Sequence, residues 1–214
     1  MSLFAEQEPK KAPLADRLRP MDIADVVGQE HLLGEGGFIN KSIAANAPAS
    51  IILWGPPGCG KTTLARLYAK AFEAEFIQLS AVFSGVADVK KAVQQAKENQ
   101  QMHNRQTVLF IDEIHRFNKA QQDAFLPYVE DGTLILVGAT AENPSFELNK
   151  ALLSRASVLT LNPVDKSGLE KVLKRAEEFY GKDVPLTQKA KDELLAMALG
   201  DARFFLNVVE VIFE

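Results

Sequence analysis

The chain has 214 residues, 47% hydrophobic and 24% charged, which is enough apolar material for one full domain and part of a second. A formal charge of -4 excludes an overall electrostatic grip on nucleic acid, although local basic surface stays open. The single cysteine, Cys59, excludes an internal disulfide, and neither a leader peptide nor a membrane-length apolar run is read, so a reduced, cytoplasmic setting is expected.

Residues 1 to about 13 are polar, carry Pro9, Pro13 and Lys10-Lys11, and read as a flexible arm. The entry segment from Pro13 to Gly37 shows turn signals at Arg19-Pro20, Gly28 and Gly34 to Gly37. Ile51 to Trp54 is a short apolar run that ends at glycine and proline, as a buried parallel strand does. Thr63 to Phe72 then places Leu64, Leu67, Tyr68 and Ala71 on one helical stripe. Strands are expected at Phe76 to Leu79, Thr107 to Ile111, Thr133 to Val137 and Val158 to Leu161. Helices are expected around Val86 to Ala96 and over Asn118 to Glu130. The alternation predicts an α/β fold with a parallel five-stranded sheet flanked by helices.

After Asn162-Pro163 the pattern is helical throughout, over Leu169 to Phe179, Thr187 to Leu199 and Asp201 onward. This divides the chain into 1-24 (arm and entry), 25-163 (sheet domain) and 164-214 (helical lid). The last helix is still apolar at Val209, Val211, Ile212 and Phe213, so the lid is expected to be partial.

Gly55-Pro56-Pro57-Gly58-Cys59-Gly60-Lys61-Thr62 fits G-x-x-x-x-G-K-[ST] between a strand and a helix. Glycines let backbone N–H groups turn inward around phosphate oxygens, and the next helix, opening near Thr63, presents its positive end to the same anion. Lys61 is expected to reach the β- and γ-phosphates, and the Thr62 hydroxyl to coordinate Mg2+. Cys59 occupies a free position in the loop; a helix terminus can lower a thiol's pKa and permit reactivity with oxidants, but the preferred reading is simply a small side chain there.

Val108 to Ile111 is an apolar run closed by Asp112-Glu113. In a parallel sheet that end faces the ligand crevice. Asp112 is expected to hold the metal, partly through water, and Glu113 to position and deprotonate the attacking water.

Together, Gly55 to Thr63, Asp112 to Lys119, Gln121 to Leu126 and Glu142 to Leu148 resemble the replication-associated recombination protein A family of AAA+ ATPases. Its eukaryotic relatives are the Werner-helicase-interacting ATPases. The likeness runs from about Pro13 to the last residue, and the stretches after Asp112 and Gly138 are more specific than the phosphate loop. It implies an AAA+ P-loop fold binding ATP/ADP with Mg2+, and work at DNA forks, gaps or ends with single-strand-binding protein. It also implies a nucleoid-associated location and self-association of the full-length protein. Hydrolysis by this chain alone is accordingly expected to be weak. Clamp-loader subunits and branch-migration motors share the general motifs without those stretches; a nucleotide-bound scaffold is the non-enzymatic alternative.

Position by position, the resemblance implies that Arg155 is an arginine finger reaching a neighbouring subunit's nucleotide, and that Arg203, in Gly200 to Arg203, is the lid arginine that touches phosphates. The polar sensor at the end of the fourth strand is Thr140 or Asn143, with Asn143 preferred. Arg19-Pro20 and Val26-Val27-Gly28-Gln29 correspond to the segment lining the adenine pocket. The chain departs from the family pattern at Cys59, Ala141 and Phe204-Phe205, the last beside the lid arginine. His115 is either a relay of nucleotide state or a structural residue, while Lys90-Lys91, Arg116 and Lys119 read as solvated helix faces.

Overall fold

The computed structural model describes residues 12–214, so most of the expected arm, including Pro9 and Lys10-Lys11, lies outside the described residues. The entry segment forms α1 (Leu14–Arg17), a 3-10 turn at Ile23–Asp25, α2 (Glu30–Leu33) and α3 (Phe38–Ala44). Next come β1 (Ile51–Trp54), α4 (Lys61–Ala71), β2 (Glu75–Ser80), α5 (Val86–His103) and β3 (Thr107–Asp112). A 3-10 turn at Ile114–Arg116 leads to α6 (Lys119–Asp123), α7 (Leu126–Glu130) and β4 (Ile135–Thr140). The sheet domain ends with α8 (Pro144–Glu147), α9 (Lys150–Leu153) and β5 (Ser157–Thr160). The lid is α10 (Lys166–Tyr180), α11 (Gln188–Met197) and α12 (Ala202–Phe213).

The five strands pair in parallel, in the order β2-β3-β4-β1-β5, which is the sheet expected from the alternating pattern. The central strands have continuous apolar runs because both faces are covered. Ile51, Leu53, Phe110 and Val137 pack on one side with Leu64 and Tyr68 of α4. Ile52, Leu109, Ile111 and Leu136 pack on the other with Val89 and Val93 of α5, following the alternation of strand side chains.

Three expectations about elements are corrected. The single helix over Asn118 to Glu130 is two short helices, broken at Ala124-Phe125. Pro127 occupies the first turn of α7, where it lacks the N–H needed to continue α6, and Phe125 turns fully into the core. The fourth strand begins at Ile135 and not Thr133, because Asp131 Oδ1 accepts the Thr133 N–H at 2.9 Å in a turn through Gly132. It also runs past Val137 to Thr140, through Gly138. A Cβ at Gly138 would sit 2.8 Å from side-chain carbons of both Ile114 and Ile52, so glycine here marks close packing of the 3-10 turn on the sheet.

The lid core contains residues from the other end of the chain. Leu14 is fully buried among Val172, Leu173, Phe205 and Val209, with Leu18 and Val27 packed at its margin. Glu210 on α12 accepts the Leu14 N–H at 3.0 Å and pairs with Arg17. The entry segment is therefore a strap fastened to the lid.

Candidate active site

The strand order places β4 between β1 and β3, so the phosphate loop and the acidic pair flank the end of β4. The Gly55 N–H donates to the Thr140 carbonyl at 3.2 Å, and Asp112 stands one residue beyond the last β3–β4 pair, Ile111 and Gly138. The loop itself is an open nest. Gly58 and Gly60 take left-handed φ values of 68° and 99°, and among the described residues no backbone carbonyl or side-chain oxygen accepts from the N–H groups of residues 58 to 63. The Lys61 ammonium donates to the Gly55 and Pro56 carbonyls at 2.7 and 2.8 Å, which holds it over the loop.

Above this floor lies a cleft of about 220 Å³. Pro57 to Thr63, Asp112, Glu113 and Ala141 line its base. The strap supplies one wall through Ala15, Leu18, Arg19, Pro20, Val26 and Val27, and the lid supplies the other through Val164, Val172, Arg175, Arg203 and Leu206. The wall residues are largely apolar, and the floor is polar. Lys61, Arg19, Arg175 and Arg203 bring four cations to this one cleft in a chain whose net charge is -4. That distribution fits a flat apolar group carrying a polyphosphate tail.

The acidic pair is set by an unusual backbone. Glu113 adopts left-handed φ 55°, ψ 42°, a conformation that costs a residue with a Cβ about 1 kcal/mol or more and is concentrated at functional sites. Asp112 Oδ1 accepts the Glu113 N–H at 3.2 Å, which orients the carboxylate toward the cleft base. Thr62 and Asp112 both line that base, and among the described residues no cluster of three or more His, Cys, Asp or Glu could hold a metal by itself. A hydroxyl and one carboxylate, completed by phosphate oxygens and water, is the donor set Mg2+ prefers. The residues present fit Mg2+ with a nucleoside triphosphate.

Several expected residues stand elsewhere. Gly55, Pro56 and Gly28 do not line the cleft: the first two position Lys61, and Gly28 packs against Val164. Thr140 is fully buried, whereas Asn143 is exposed and caps α8 by accepting the Ser145 N–H at 3.0 Å. Arg155 lies outside the cleft, where it pairs with Glu130 and donates to the Ala151 carbonyl at 2.7 Å. Arg203 lines the cleft, and no protein acceptor among the described residues takes its hydrogen bonds. Of the two readings of Cys59, the small packed side chain agrees with the structure and the lowered pKa does not: the residue is 2% exposed and burial pushes the thiol pKa above its usual range, outweighing the attraction of Lys61.

Of the other participants, Arg175 was not singled out from the sequence, whereas Gln29 and Arg19 fall in the segments expected at the adenine pocket, without the contacts they make. Gln29 is buried, donates to the Asn162 and Cys59 carbonyls at 2.8 and 3.3 Å and accepts the Asn162 N–H at 3.0 Å. It thereby ties the phosphate loop to the lid hinge. Arg19 donates to Thr63 Oγ1 at 3.2 Å, and Arg175 lies 3.7 Å from Asp25. Isolated arginines and glutamines carry no spacing signal, and only their placement reveals them. Gly58 also meets the lid: a Cβ there would fall 1.8 Å from Asp201 Oδ1, and the Ala202 N–H donates to its carbonyl at 3.3 Å.

Residues 51–164 match the family model described as the ATPase family associated with various cellular activities, more than half of the chain. This protein belongs to the AAA family of ATPases. Among its relatives, replication-associated recombination protein A of Escherichia coli K12 is 47% identical over 93% of this chain and 45% of that protein. The Haemophilus influenzae protein of the same name is 47% identical over 99% of this chain and 48% of its own length. ATPase WRNIP1 of Dictyostelium discoideum is 44% identical over 94% of this chain and 23% of that protein. The resemblance read from the motifs is thus borne out, and the AAA chain spans less than half the length of these curated relatives. Its backbone is similar to that of the RuvB Holliday junction branch migration motor of Thermotoga maritima, with a TM-score of 0.72 and 28% identity over 90% of this chain and 64% of that one.

The two stretches that carry the resemblance are fastened to each other. Gln122 on α6 is buried, donates to the Phe117 and Glu147 carbonyls and accepts the Asn149 N–H, while Asp123 accepts from the Asn149 side chain. Asn149 in turn caps α9, whose C-terminal end carries Arg155. A continuous set of hydrogen bonds therefore runs from the turn after Glu113 to the exposed arginine.

Proposed function

We propose that this AAA protein binds ATP with Mg2+ and hydrolyses its β–γ phosphoanhydride, in service of replication-fork maintenance, repair and recombination of DNA. The observation that carries the reading is the convergence of an unfilled amide nest, Lys61, Asp112 and Glu113 at the base of one cleft. The loop amides and Lys61 bind the phosphate tail. Thr62 and Asp112 would hold the cation, which would neutralise charge on the phosphates. Glu113 accepts the proton of the attacking water. The strap segment around Val27 takes the base, and Arg203 reads the phosphates from the lid.

Arg155 acts on the nucleotide of a neighbouring subunit. Its position outside its own cleft and on an exposed end of α9 supports that role, since a finger in trans must face outward. Thr140 is a better candidate than Asn143 for the polar sensor, because it ends the strand between the loop and the acidic pair while Asn143 is used as a helix cap. Self-association, DNA forks, gaps or ends, and single-strand-binding protein are proposed partners on the strength of the relatives' names and motifs. A cytoplasmic, nucleoid-associated location accompanies them; among the described residues no helix is long and apolar enough to cross a membrane.

The test is steady-state ATP turnover of the full-length protein, with and without forked and gapped DNA, for wild type and Glu113→Gln. Glu113→Gln should bind Mg-ATP normally and lose about 10² to 10⁴-fold in turnover, the usual contribution of a general base. Equal rates would instead favour a nucleotide-held scaffold.

A further inference from the structure

His115 lies in the 3-10 turn two residues after Glu113, with 9% of its side chain exposed. Its ring bridges two groups of the site. Nδ1 is 2.9 Å from Thr140 Oγ1, and Nε2 is 3.4 Å from Glu113 Oε2. The Glu113 carboxylate has no other side-chain partner among the described residues, and 39% of that side chain is exposed, so without His115 none of them fixes its direction.

Between the two neutral tautomers of the ring, counting donors decides. The Thr140 hydroxyl accepts the Glu142 N–H at 3.0 Å and has one proton to give, either to His115 Nδ1 at 2.9 Å or to the Glu142 carbonyl at 3.3 Å. A neutral ring protonated on Nδ1 would aim the lone pair of Nε2 at a carboxylate oxygen, two acceptors with no hydrogen between them. A neutral ring protonated on Nε2 satisfies both contacts: the hydroxyl donates to Nδ1, and Nε2–H donates to the carboxylate. The hydrogen bond on one ring nitrogen thus sets what the other presents.

We propose that His115 is the positioning residue for Glu113, held with Nε2–H toward the carboxylate by the buried hydroxyl of Thr140. The proposal rests on the reading of Glu113 as the group that deprotonates the attacking water. Thr140 is connected to both halves of the cleft floor. Its carbonyl receives the Gly55 N–H of the phosphate loop, and its side chain aligns the base through His115. Because Thr140 itself is fully buried and does not line the cleft, it acts on the carboxylate only through the ring. A shift of the loop relative to β4 is thereby felt at Glu113.

The test uses the full-length protein and four variants: His115→Phe, His115→Gln, Thr140→Val and Glu113→Gln. His115→Phe keeps the ring's shape and removes both hydrogen bonds. It should lower kcat about ten- to a hundredfold, the range seen when the partner orienting a functional side chain is lost. Binding of a fluorescent ATP analogue with Mg2+ should change by less than about twofold, marking a loss confined to the transition state. His115→Gln offers an amide acceptor and donor at similar separation and should recover much of the rate. Thr140→Val should also lower kcat, and the Thr140→Val, His115→Phe double variant should be no slower than His115→Phe alone, since both break one chain. In the wild-type protein, nitrogen NMR should show His115 Nδ1 unprotonated and Nε2 protonated.

A His115→Phe enzyme with wild-type kcat overturns the proposal, as does full additivity with Thr140→Val or a ring unprotonated at Nε2. Should His115→Phe fail to fold, the rate of His115→Gln and the NMR tautomer still decide. If Glu113→Gln turns over ATP at the wild-type rate, the reading of Glu113 falls; if only His115→Phe does so, that reading stands and the role of His115 falls.

Discussion

The floor and the walls of the cleft are built by opposite means. The floor hangs from parallel strands buried on both faces, and its loop is joined to β4 through backbone hydrogen bonds, so phosphate-binding groups are fixed by the sheet. The walls are a four-residue helix and a lid that share one small core, in which Leu14 packs against α10 and α12, and its N–H is held by Glu210, 196 residues further along the chain. The strap belongs mechanically to the lid. The difference teaches that, on the proposed reading, the phosphates and the base would be gripped by separate bodies, which meet at Gly58 with Asp201, at Gln29 with Asn162 and at Arg19 with Thr63.

The severest break in that comparison is at the floor. Lys61→Ala removes the ammonium that the loop carbonyls hold in place, and should cost nucleotide affinity about 2 to 5 kcal/mol, as expected for one partner of a buried charged contact. Titration calorimetry with ATP and with inorganic triphosphate should show the loss for both ligands. A variant of the walls should separate them. Glu210→Ala leaves the Leu14 N–H and Arg17 without their acceptor and should destabilise the protein by about 1 to 3 kcal/mol in thermal or denaturant unfolding. It should weaken ATP binding several-fold, because the strap loosens, while inorganic triphosphate, which touches only the floor, binds as before. Parallel losses for both ligands would mean that strap and floor form one body.

The smallest effect concerns Cys59 beneath the loop. Burial raises its pKa, so the folded protein keeps the thiol protonated where the unfolded chain has begun to ionise. The sign follows: stability from this group is fully present below the unfolded thiol pKa and declines as pH rises through that value toward the folded one. Alkylation of the native protein near neutral pH should be much slower than that of the unfolded chain, and mass spectrometry over time checks it. Rapid native labelling would show that the loop opens away from the core.

What could be read in advance tracks how local the cause is. The phosphate loop was legible because a strand, a glycine turn and a helix are consecutive, and each residue's role follows from its neighbours. The acidic pair was legible for the same reason, at the end of an apolar run. The strap was not, since four residues cannot display a period and Leu14 shows its role only once buried by α12. The split of the helix over Asn118 to Glu130 was visible in Pro127, but the pull of Phe125 into the core was not. Thr140 and Asn143 looked equivalent as polar residues near a strand end. The sheet made one a buried hub and the other a cap. For Cys59 the helix terminus suggested a lowered pKa, and desolvation by the packed core proved the stronger influence.

The amino-acid order alone therefore determined the kind of fold, the place of the phosphate nest and the carboxylates beside it, because these depend on periodicity and on backbone freedom over a few residues. The tertiary structure alone decided that the strap rides on the lid, that His115 stands between Thr140 and Glu113, and that Arg155 faces away from its own cleft. Those are relations between segments far apart in the chain, set by how strands order themselves and which apolar surfaces find each other, and no spacing along the chain encodes them one residue at a time.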